Sequence, residues 1–179
     1  EIKIIKPQSG GQEAFVRSNV DFCIYGGVLN CGKTYGALLS VAEWSLIPEF
    51  RAVFTRRNIA ETKVGGGMVD EIKKLYGEDY IRVKESDSPR IYFPSGAFID
   101  LTHIADENPQ KLLERVKGWQ YDLCYLDELT SYSWSTFNTI ITRNRGTAGI
   151  GSKIRGTTNP KKNHWLRVFL KPYIGHDGF

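Results

Sequence analysis

Short apolar runs rich in β-branched and aromatic residues recur along the chain, separated by polar or glycine-containing segments. Runs of this length and composition predict β-strands. They lie at 21–26, 51–55, 80–84, 90–93, 97–102, 121–126 and 153–158. Segments with helical spacing lie between several of these runs, so the pattern predicts an α/β domain.

Helices are predicted just before the first strand and in the longer segments between strands. The polar stretch that begins at Lys6 leads into a short helix, and further helices are predicted at 35–46, 108–117 and 133–142. The segment 58–76 is helix-like at both ends but contains three consecutive glycines. Each glycine costs about 1 kcal/mol relative to alanine inside a helix, so we predict a loop between two short helices there.

One pair of strands is predicted to be antiparallel. Pro94, Ser95 and Gly96 are typical turn residues between the run at 90–93 and the run at 97–102. The turn makes these two runs a hairpin. A hairpin in a chain of otherwise alternating strands and helices predicts a mixed sheet, with the antiparallel strands toward one edge.

Composition favours one domain of ordinary character. The chain has 179 residues, of which 41% are apolar and 25% charged. No apolar run approaches the roughly 20 residues of a membrane span, and no segment near the start resembles a signal peptide, so we expect a cytosolic protein without a membrane partner. Cys23, Cys31 and Cys124 have no zinc or disulfide spacing, which fits a reducing compartment. The net charge of +4 permits a polyanionic partner without requiring one.

The segment 27–34 reads G-V-L-N-C-G-K-T and matches the phosphate-binding pattern G-x-x-x-x-G-K-[ST] in full. Gly27 and Gly32 allow the backbone to turn successive N–H groups inward, toward a β-phosphate. The loop interior, including Asn30 and Cys31, is therefore expected to surround phosphate oxygens.

Two side chains at the end of this loop are expected to complete the phosphate site. Lys33 would reach the β- and γ-phosphates, and Thr34 would ligate Mg²⁺. A predicted strand enters the loop and a predicted helix leaves it, which is the usual setting of such a site. The chain is therefore predicted to bind a nucleoside triphosphate with Mg²⁺, and a glycine-rich turn without nucleotide is the alternative.

Glutamines precede the first predicted strand. A glutamine amide pairs with the exocyclic amine and a ring nitrogen of adenine, so Gln8 or Gln12 would select ATP over GTP. We take Gln12 as the candidate. A solvated surface helix is the alternative for this segment.

A pair of carboxylates ends the apolar run at 121–126. Asp127 and Glu128 are adjacent, and adjacent strand residues point to opposite sides, so the two groups can have different functions. Asp127 is expected to hold Mg²⁺, and Glu128 to polarise the water that attacks the γ-phosphate. Taken alone, such a pair would also fit a solvated strand end.

Small polar residues end the predicted strand at 153–158. Thr158 and Asn159 lie where a hydroxyl or an amide can sense the γ-phosphate, if this strand is next to the one that ends at Asp127. The alternative is an ordinary turn, which Asn-Pro often starts.

Basic residues lie at two further positions. Arg56 and Arg57 follow the run at 51–55, where phosphate or DNA would lie in an open α/β sheet, or where they form a solvated charge pair. The segment 161–165 interleaves basic and aromatic residues, as nucleic-acid surfaces often do. It equally fits the start of a helix with Trp165 anchored in the core.

In this order, the motifs resemble the ATPase domain of the large terminase subunit, the DNA-packaging motor of tailed bacteriophages. The resemblance runs from about Gln8 to about Phe169. After the glutamine segment, it rests on 25–27, 54–57, 93–96, 126–128, 142–145, 158–160 and 164–165. Many ATPases share the phosphate loop and the Asp-Glu pair, whereas the segments from 142 onward are far more particular to terminases.

The resemblance implies a P-loop NTPase fold of the additional-strand, catalytic-glutamate type (ASCE, RecA-like), with a mainly parallel central sheet and helices on both faces. It implies a homo-oligomeric ring, expected to be a pentamer, that hydrolyses ATP to drive double-stranded DNA into a procapsid. The portal protein and the small terminase subunit are the implied partners. The implied location is the host cell cytoplasm and, transiently, the portal vertex.

The family's functional residues carry over onto matching positions of this chain. Lys33 and Thr34 would hold the phosphates and Mg²⁺, and Asp127 would hold Mg²⁺. Glu128 would be the catalytic carboxylate, and 157–159 would form the motif that couples hydrolysis to DNA movement.

Two features depart from the family's pattern. Many terminases carry an arginine inside the phosphate loop, whereas 28–31 are uncharged here. An arginine from elsewhere, expected from a neighbouring subunit, would then neutralise the γ-phosphate; Arg115 is the first candidate, with Arg143 and Arg145 behind it. The family's nuclease domain has no counterpart after Phe169, so we expect residues 1–179 to form a single ATPase domain that lacks the nuclease domain of the full-length protein.

Two other functions stay open at this point. A helicase or another DNA-dependent ATPase of related fold shares the phosphate loop and the Asp-Glu pair, and would prefer single-stranded DNA. A nucleotide-binding module without turnover is the second alternative, although the residues needed for hydrolysis are intact.

Overall fold

A mixed β-sheet lies at the centre of the protein. The computed structural model describes residues 4–27, 32–57, 67–105, 108–159 and 161–173. The strands are β1 (Phe22–Gly26), β2 (Arg51–Arg56), β3 (Arg82–Lys84), β4 (Arg90–Tyr92), β5 (Phe98–His103), β6 (Leu123–Leu126) and β7 (Lys153–Thr158). The helices are α1 (Gly11–Arg17), α2 (Lys33–Leu39), α3 (Met68–Tyr76), α4 (Pro109–Val116), α5 (Trp134–Arg143) and α6 (Trp165–Leu170). Short 3₁₀ segments lie at Trp44–Leu46, Leu129–Ser131 and Lys171–Tyr173.

The sheet has seven strands in the order β1-β7-β6-β2-β5-β4-β3. The strands from β1 to β5 in this order pair in parallel, whereas β4 pairs antiparallel with both β5 and β3. In the β4–β5 turn, Gly96 has a φ of 98°, which favours glycine. The predicted mixed sheet with its antiparallel strands toward one edge is confirmed.

Helices cover both faces of the sheet because its central strands bury side chains on both sides. Every residue of β6 is buried. Tyr125 belongs to the same core cluster as Phe54 and Leu38 of α2, whereas the preceding residue, Cys124, belongs to the cluster that contains Phe137 of α5. Burial raises the pKa of the Cys124 thiol, as expected for a core cysteine. The predicted arrangement of helices on both faces is confirmed.

The helix predicted at 35–46 is shorter in the structure. It ends at Leu39, and a turn leads to the 3₁₀ segment Trp44–Leu46. The hydroxyls of Ser40 and Ser45 each donate a 2.7 Å hydrogen bond to a backbone oxygen in the preceding turn. Serine hydroxyls that bond to the nearby backbone compete with helix propagation, and Ser40 lies directly after the last helical residue, where this competition favours the end.

The other helix predictions are confirmed where the structure describes them. The helices at 108–117 and 133–142 form α4 and α5, and the side chains of Asn108 and Ser133 cap their first turns. The second half of the segment 58–76 forms α3, while residues 58–66 lie outside the described ranges. None of the helices in the described ranges is long and apolar enough to cross a bilayer.

Trp165, at the start of α6, packs against the core. Its ring lies 4.9 Å from the ring of Phe137, and its Nε1 donates a 2.8 Å hydrogen bond to the carbonyl of Tyr132. Lys161 and Lys162 just before it are exposed. Of the two interpretations of this segment, the helix start with an anchored tryptophan is confirmed.

Candidate active site

Three neighbouring parallel strands, β1, β7 and β6, end at the same edge of the sheet. Gly26 at the end of β1 pairs with Thr158 at the end of β7, and β7 pairs with β6. The residues that follow these strands, Gly27, Asn159 and Asp127, therefore gather at one place. Ligands in open α/β sheets bind at this edge, and the predicted adjacency of the strands that end at Asp127 and Asn159 is confirmed.

Gly32 is the first described residue of the second half of the phosphate loop. This residue has a φ of 69° and immediately precedes α2. The backbone conformation favours glycine, and a Cβ atom here would come within 2.5 Å of the Nε2 of Gln12 and displace that amide. The expected phosphate contacts of Asn30 and Cys31 fall on residues 28–31, which lie outside the described ranges.

Gln12 of α1 forms a hydrogen bond to the backbone of the phosphate loop. Its Nε2 donates a 2.8 Å hydrogen bond to the carbonyl of Gly32, and its Oε1 accepts one from the backbone N–H of Gln8 at 2.6 Å. The residue is 2% exposed, so the Gln12 side chain itself does not face solvent. Adenine recognition by Gln12 stays a prediction. Its contact with the loop was not foreseen, because a glutamine in a helix carries no signal for a particular carbonyl.

Lys33 begins α2 and points its ammonium group between two strand ends. Its Nζ donates to the carbonyl of Gly27 at 3.3 Å and to the Oδ1 of Asn159 at 2.8 Å. Thr34, the next residue, is half-buried in the first turn of the helix. The cation predicted to bind phosphate is therefore in direct contact with the residue predicted to sense it.

Asp127 is held by three hydrogen bonds at the end of β6. Its Oδ2 accepts from the Nε of Arg56 at 2.7 Å, and its Oδ1 accepts from the hydroxyls of Tyr125 and Thr157 at 2.8 and 2.7 Å. Burial, followed by the charge of Asp127, raises the pKa of the Tyr125 phenol, which keeps it a donor. A carboxylate has about four lone-pair sites, so a position remains for a metal or a metal-bound water.

Glu128 has a φ of 51°, which is rare for a residue with a side chain and typical of functional sites. Its Oε1 accepts from the hydroxyl of Thr130 at 2.6 Å and from the backbone N–H of Asn159 at 3.2 Å. Its Oε2 accepts from the Nδ2 of Asn159 at 2.6 Å. The carboxylate is thus fixed over the end of β7, within the reach of the Lys33–Asn159 contact.

These residues fit a magnesium nucleotide by the chemistry of their donor groups. Lys33 supplies a positive charge, Thr34 a hydroxyl and Asp127 a carboxylate with a further lone-pair position. Mg²⁺ in such sites takes one or two protein ligands and fills its other positions with phosphate oxygens and waters. In the described part of the chain, no group of three or more His, Cys, Asp or Glu residues could hold a metal by itself.

Arg115 lies away from these residues. Its Nη2 makes a 3.4 Å hydrogen bond to the hydroxyl of Thr102 on β5. Because β2 lies between β5 and β6, the strand that carries Thr102 is about 10 Å across the sheet from the strand that ends at Asp127. Arg115 lines an open cavity of about 430 Å³ with Lys84, Ser86, Ser88, Arg90, Tyr92, Asp100, Leu101, Thr102, Trp119 and Tyr121. The structure therefore does not bring Arg115 to the site of its own chain, and Arg143 and Arg145 are exposed.

Arg56 has a role that the sequence did not reveal. Its side chain is 15% exposed and bonds to Asp127, so it is not half of a solvated charge pair. Arg57, in contrast, is exposed and donates to the carbonyl of Ser131 at 3.0 Å. The strand order could have indicated the Arg56–Asp127 contact, but the order of strands is not readable from one sequence.

Comparisons with known proteins give a family match for this chain. A family profile described as terminase large subunit, T4-like virus type, N-terminal, matches residues 24–178. A search of curated protein sequences finds no significant match. The family profile covers most of the chain, so this match is the evidence from which the family of the chain is assigned.

Solved structures share the fold at low sequence identity. The large terminase of a thermophilic bacteriophage superposes with a TM-score of 0.70 at 19% identity, over 93% of this chain and 44% of that one. The same terminase in complex with ADP gives a TM-score of 0.67 at 20% identity, over 90% and 41%. The ATPase domain of the Thermus phage P74-26 large terminase gives a TM-score of 0.63 at 16% identity, over 97% of this chain and 72% of that one. The predicted P-loop NTPase fold is confirmed, and the chain spans less than half the length of the first of these terminases.

Proposed function

The chain belongs to the terminase large-subunit family of the T4-like virus type, and we propose that it hydrolyses ATP to drive double-stranded DNA into a procapsid. The observation that carries this proposal is the bridge that Asn159 makes between Lys33 and Glu128. A phosphate-binding cation and a catalytic carboxylate are thereby joined through one side chain. A protein that binds a nucleotide without hydrolysing it would not need a carboxylate fixed next to the phosphate-binding lysine.

The roles of the residues follow from their chemistry. Lys33 would bind the β- and γ-phosphates, and Thr34 and Asp127 would hold Mg²⁺, which supplies further neutralisation of phosphate charge. Glu128 would orient the attacking water and accept its proton. The backbone from Gly27 to Gly32 would surround the phosphates, with Gln12 supporting the loop.

Asn159 would transmit the state of the nucleotide to β7. When the Lys33 ammonium moves to a phosphate, the Oδ1 of Asn159 loses its donor, while its Nδ2 still bonds to Glu128. A change at the γ-phosphate would therefore reach both the catalytic carboxylate and the end of β7. This supports the coupling function that we propose for residues 157–159.

In the assembled motor, we place this chain in a homo-oligomeric ring, expected to be a pentamer, on the portal protein. The small terminase subunit and double-stranded DNA are the other proposed partners, and the host cytoplasm and the portal vertex the proposed locations. We assign DNA cleavage to a nuclease domain separate from the residues described above.

Replacing Lys33 with alanine is expected to weaken ATP binding about 10- to 100-fold, because hydrogen bonds to charged groups contribute ~1.5–3 kcal/mol. Fluorescence titration with an ATP analogue measures the affinity. Lys162→Ala, which removes the same charge from an exposed position, is the control and should bind like the wild type. Equal affinities for the two variants would contradict the proposed phosphate contact.

Duplex DNA is expected to stimulate ATP hydrolysis more than an equal mass of single-stranded DNA. The affinity for DNA should fall at least about tenfold between roughly 50 and 200 mM salt, because even a few phosphate contacts release counterions. Steady-state ATPase assays at several salt concentrations measure both effects. Preferential stimulation by single strands, together with strand separation, would favour a helicase instead.

A further inference from the structure

Arg56 bonds to the carboxylate that we assign to Mg²⁺. The contact between its Nε and the Oδ2 of Asp127 is 2.7 Å long, and the side chains are 15% and 18% exposed. A guanidinium and a divalent cation repel each other when both approach one carboxylate, and partial burial reduces the screening of this repulsion. Binding of Mg²⁺ at Asp127 therefore favours a change in the position of Arg56.

Glu71, in the first turn of α3, lies within electrostatic range of this pair. Its Oε2 is buried and has no hydrogen-bond partner among the described residues. Burial raises the pKa of the Glu71 carboxyl, with the charge of Arg56 lowering it and that of Asp127 raising it. Glu71 is therefore close enough to sense both groups, and it carries a buried acceptor that a guanidinium would satisfy.

We propose that Glu71 is a positioning residue that takes the Arg56 guanidinium from Asp127 when a magnesium nucleotide binds. The inference rests on the proposed function, because it needs Asp127 to be the carboxylate that holds Mg²⁺. Asp127 and Glu71 would thus be alternative acceptors for Arg56, one for each state. Glu71 lowers the energy of the nucleotide-bound state by giving the displaced cation an acceptor.

The charges near Asp127 agree with this exchange. Without metal, Arg56 offsets the charge of Asp127, and the Glu71 carboxyl lies in an environment that disfavours its charged form. With Mg²⁺ at Asp127, the interaction of the Arg56 guanidinium with Glu71 becomes more favourable than its interaction with Asp127. The guanidinium would then stabilise the charged form of the Glu71 carboxyl. The exchange would also alter the contacts between the end of β2 and α3.

The test is the Mg²⁺ dependence of nucleotide binding. Binding is measured as the fluorescence anisotropy of a fluorescent ADP analogue. In Glu71→Gln, Arg56 remains on Asp127, so the Mg²⁺ concentration for half-maximal binding should rise about fivefold or more, within the usual range of coupling between sites. Glu78→Gln, the same change at a position just after α3, should shift it by less than about twofold. Binding without Mg²⁺ should be unchanged in both variants.

A second background separates this exchange from a simple loss of negative charge near the metal. In Arg56→Gln, the further change Glu71→Gln should have no effect on the Mg²⁺ dependence, because no guanidinium remains to be moved. A shift that persists in this background, or a Glu71→Gln variant that behaves like Glu78→Gln, would overturn the proposal.

Thermal melting of each variant verifies folding, and Glu71→Asp serves as a second variant if Glu71→Gln unfolds. Aspartate keeps the charge but has a shorter side chain, so the Mg²⁺ concentration for half-maximal binding is expected to rise in Glu71→Asp as well. An unchanged Mg²⁺ dependence in this variant would count against the exchange. Failure of the wild-type chain to bind nucleotide at any Mg²⁺ concentration would refute the proposed function itself, and the exchange with it. Nucleotide binding that requires Mg²⁺ but not Glu71 would refute the exchange alone.

Discussion

Replacing Glu128 with glutamine is expected to lower kcat for ATP hydrolysis about 10²- to 10⁴-fold while ATP still binds. General-base groups contribute rate factors of this size, which correspond to ~2.7–5.4 kcal/mol of transition-state stabilisation. Glutamine has nearly the same size but cannot accept a proton from water. Single-turnover hydrolysis measures the rate, and fluorescence titration with an ATP analogue measures binding, at protein concentrations where wild-type activity has reached its plateau.

Thr130→Val is the matched control for this experiment. It removes the hydroxyl that donates to the Oε1 of Glu128, but the carboxylate and both hydrogen bonds from Asn159 remain. The loss of one hydrogen bond should lower kcat by no more than about tenfold. A Glu128→Gln variant with a rate similar to that of Thr130→Val would show that Glu128 positions the water without acting as its base.

The predicted site residues that the structure brings together have their positions fixed by local sequence. Gly32 and Lys33 are part of a continuous loop pattern, and Asp127 and Glu128 directly follow a strand whose apolar residues mark it as buried. Since parallel strands end at the same edge of a sheet, patterns far apart in sequence could be expected to meet there. The fold class and the antiparallel edge followed from the same kind of local pattern.

The residues that were missed depend on which elements become neighbours. Arg56 meets Asp127 because β2 pairs with β6, although the two residues are 71 positions apart. Glu71 comes close to both through the packing of α3, and Gln12 meets Gly32 through the packing of α1 against α2. Strand order and helix packing are set by the whole core, and a single sequence does not state them.

Replacing Arg115 with alanine is expected to lower the ATPase rate of the assembled ring about 10³- to 10⁵-fold, the range found for arginine fingers that stabilise the transition state of phosphoryl transfer. The geometry favours action in trans, because Arg115 contacts Thr102 and lines an open cavity beside β5. Lys111→Ala, one turn earlier on α4 and exposed, removes the same charge and should retain full activity. Full activity of Arg115→Ala in the assembled ring would exclude it as the required arginine.

Mixing two inactive variants tests whether the arginine acts between subunits. In a ring with head-to-tail interfaces, an equal mixture of Arg115→Ala and Glu128→Gln subunits gives about a quarter of interfaces with both groups intact. Activity should therefore reappear on mixing, although each variant alone is inactive. If Arg115 instead acted within its own chain, every subunit would lack one of the two groups and the mixture would stay inactive. Restored activity would thus place Arg115 of one subunit at the Glu128 site of the next, as the open cavity beside β5 and the absence of an arginine from the phosphate loop lead us to expect.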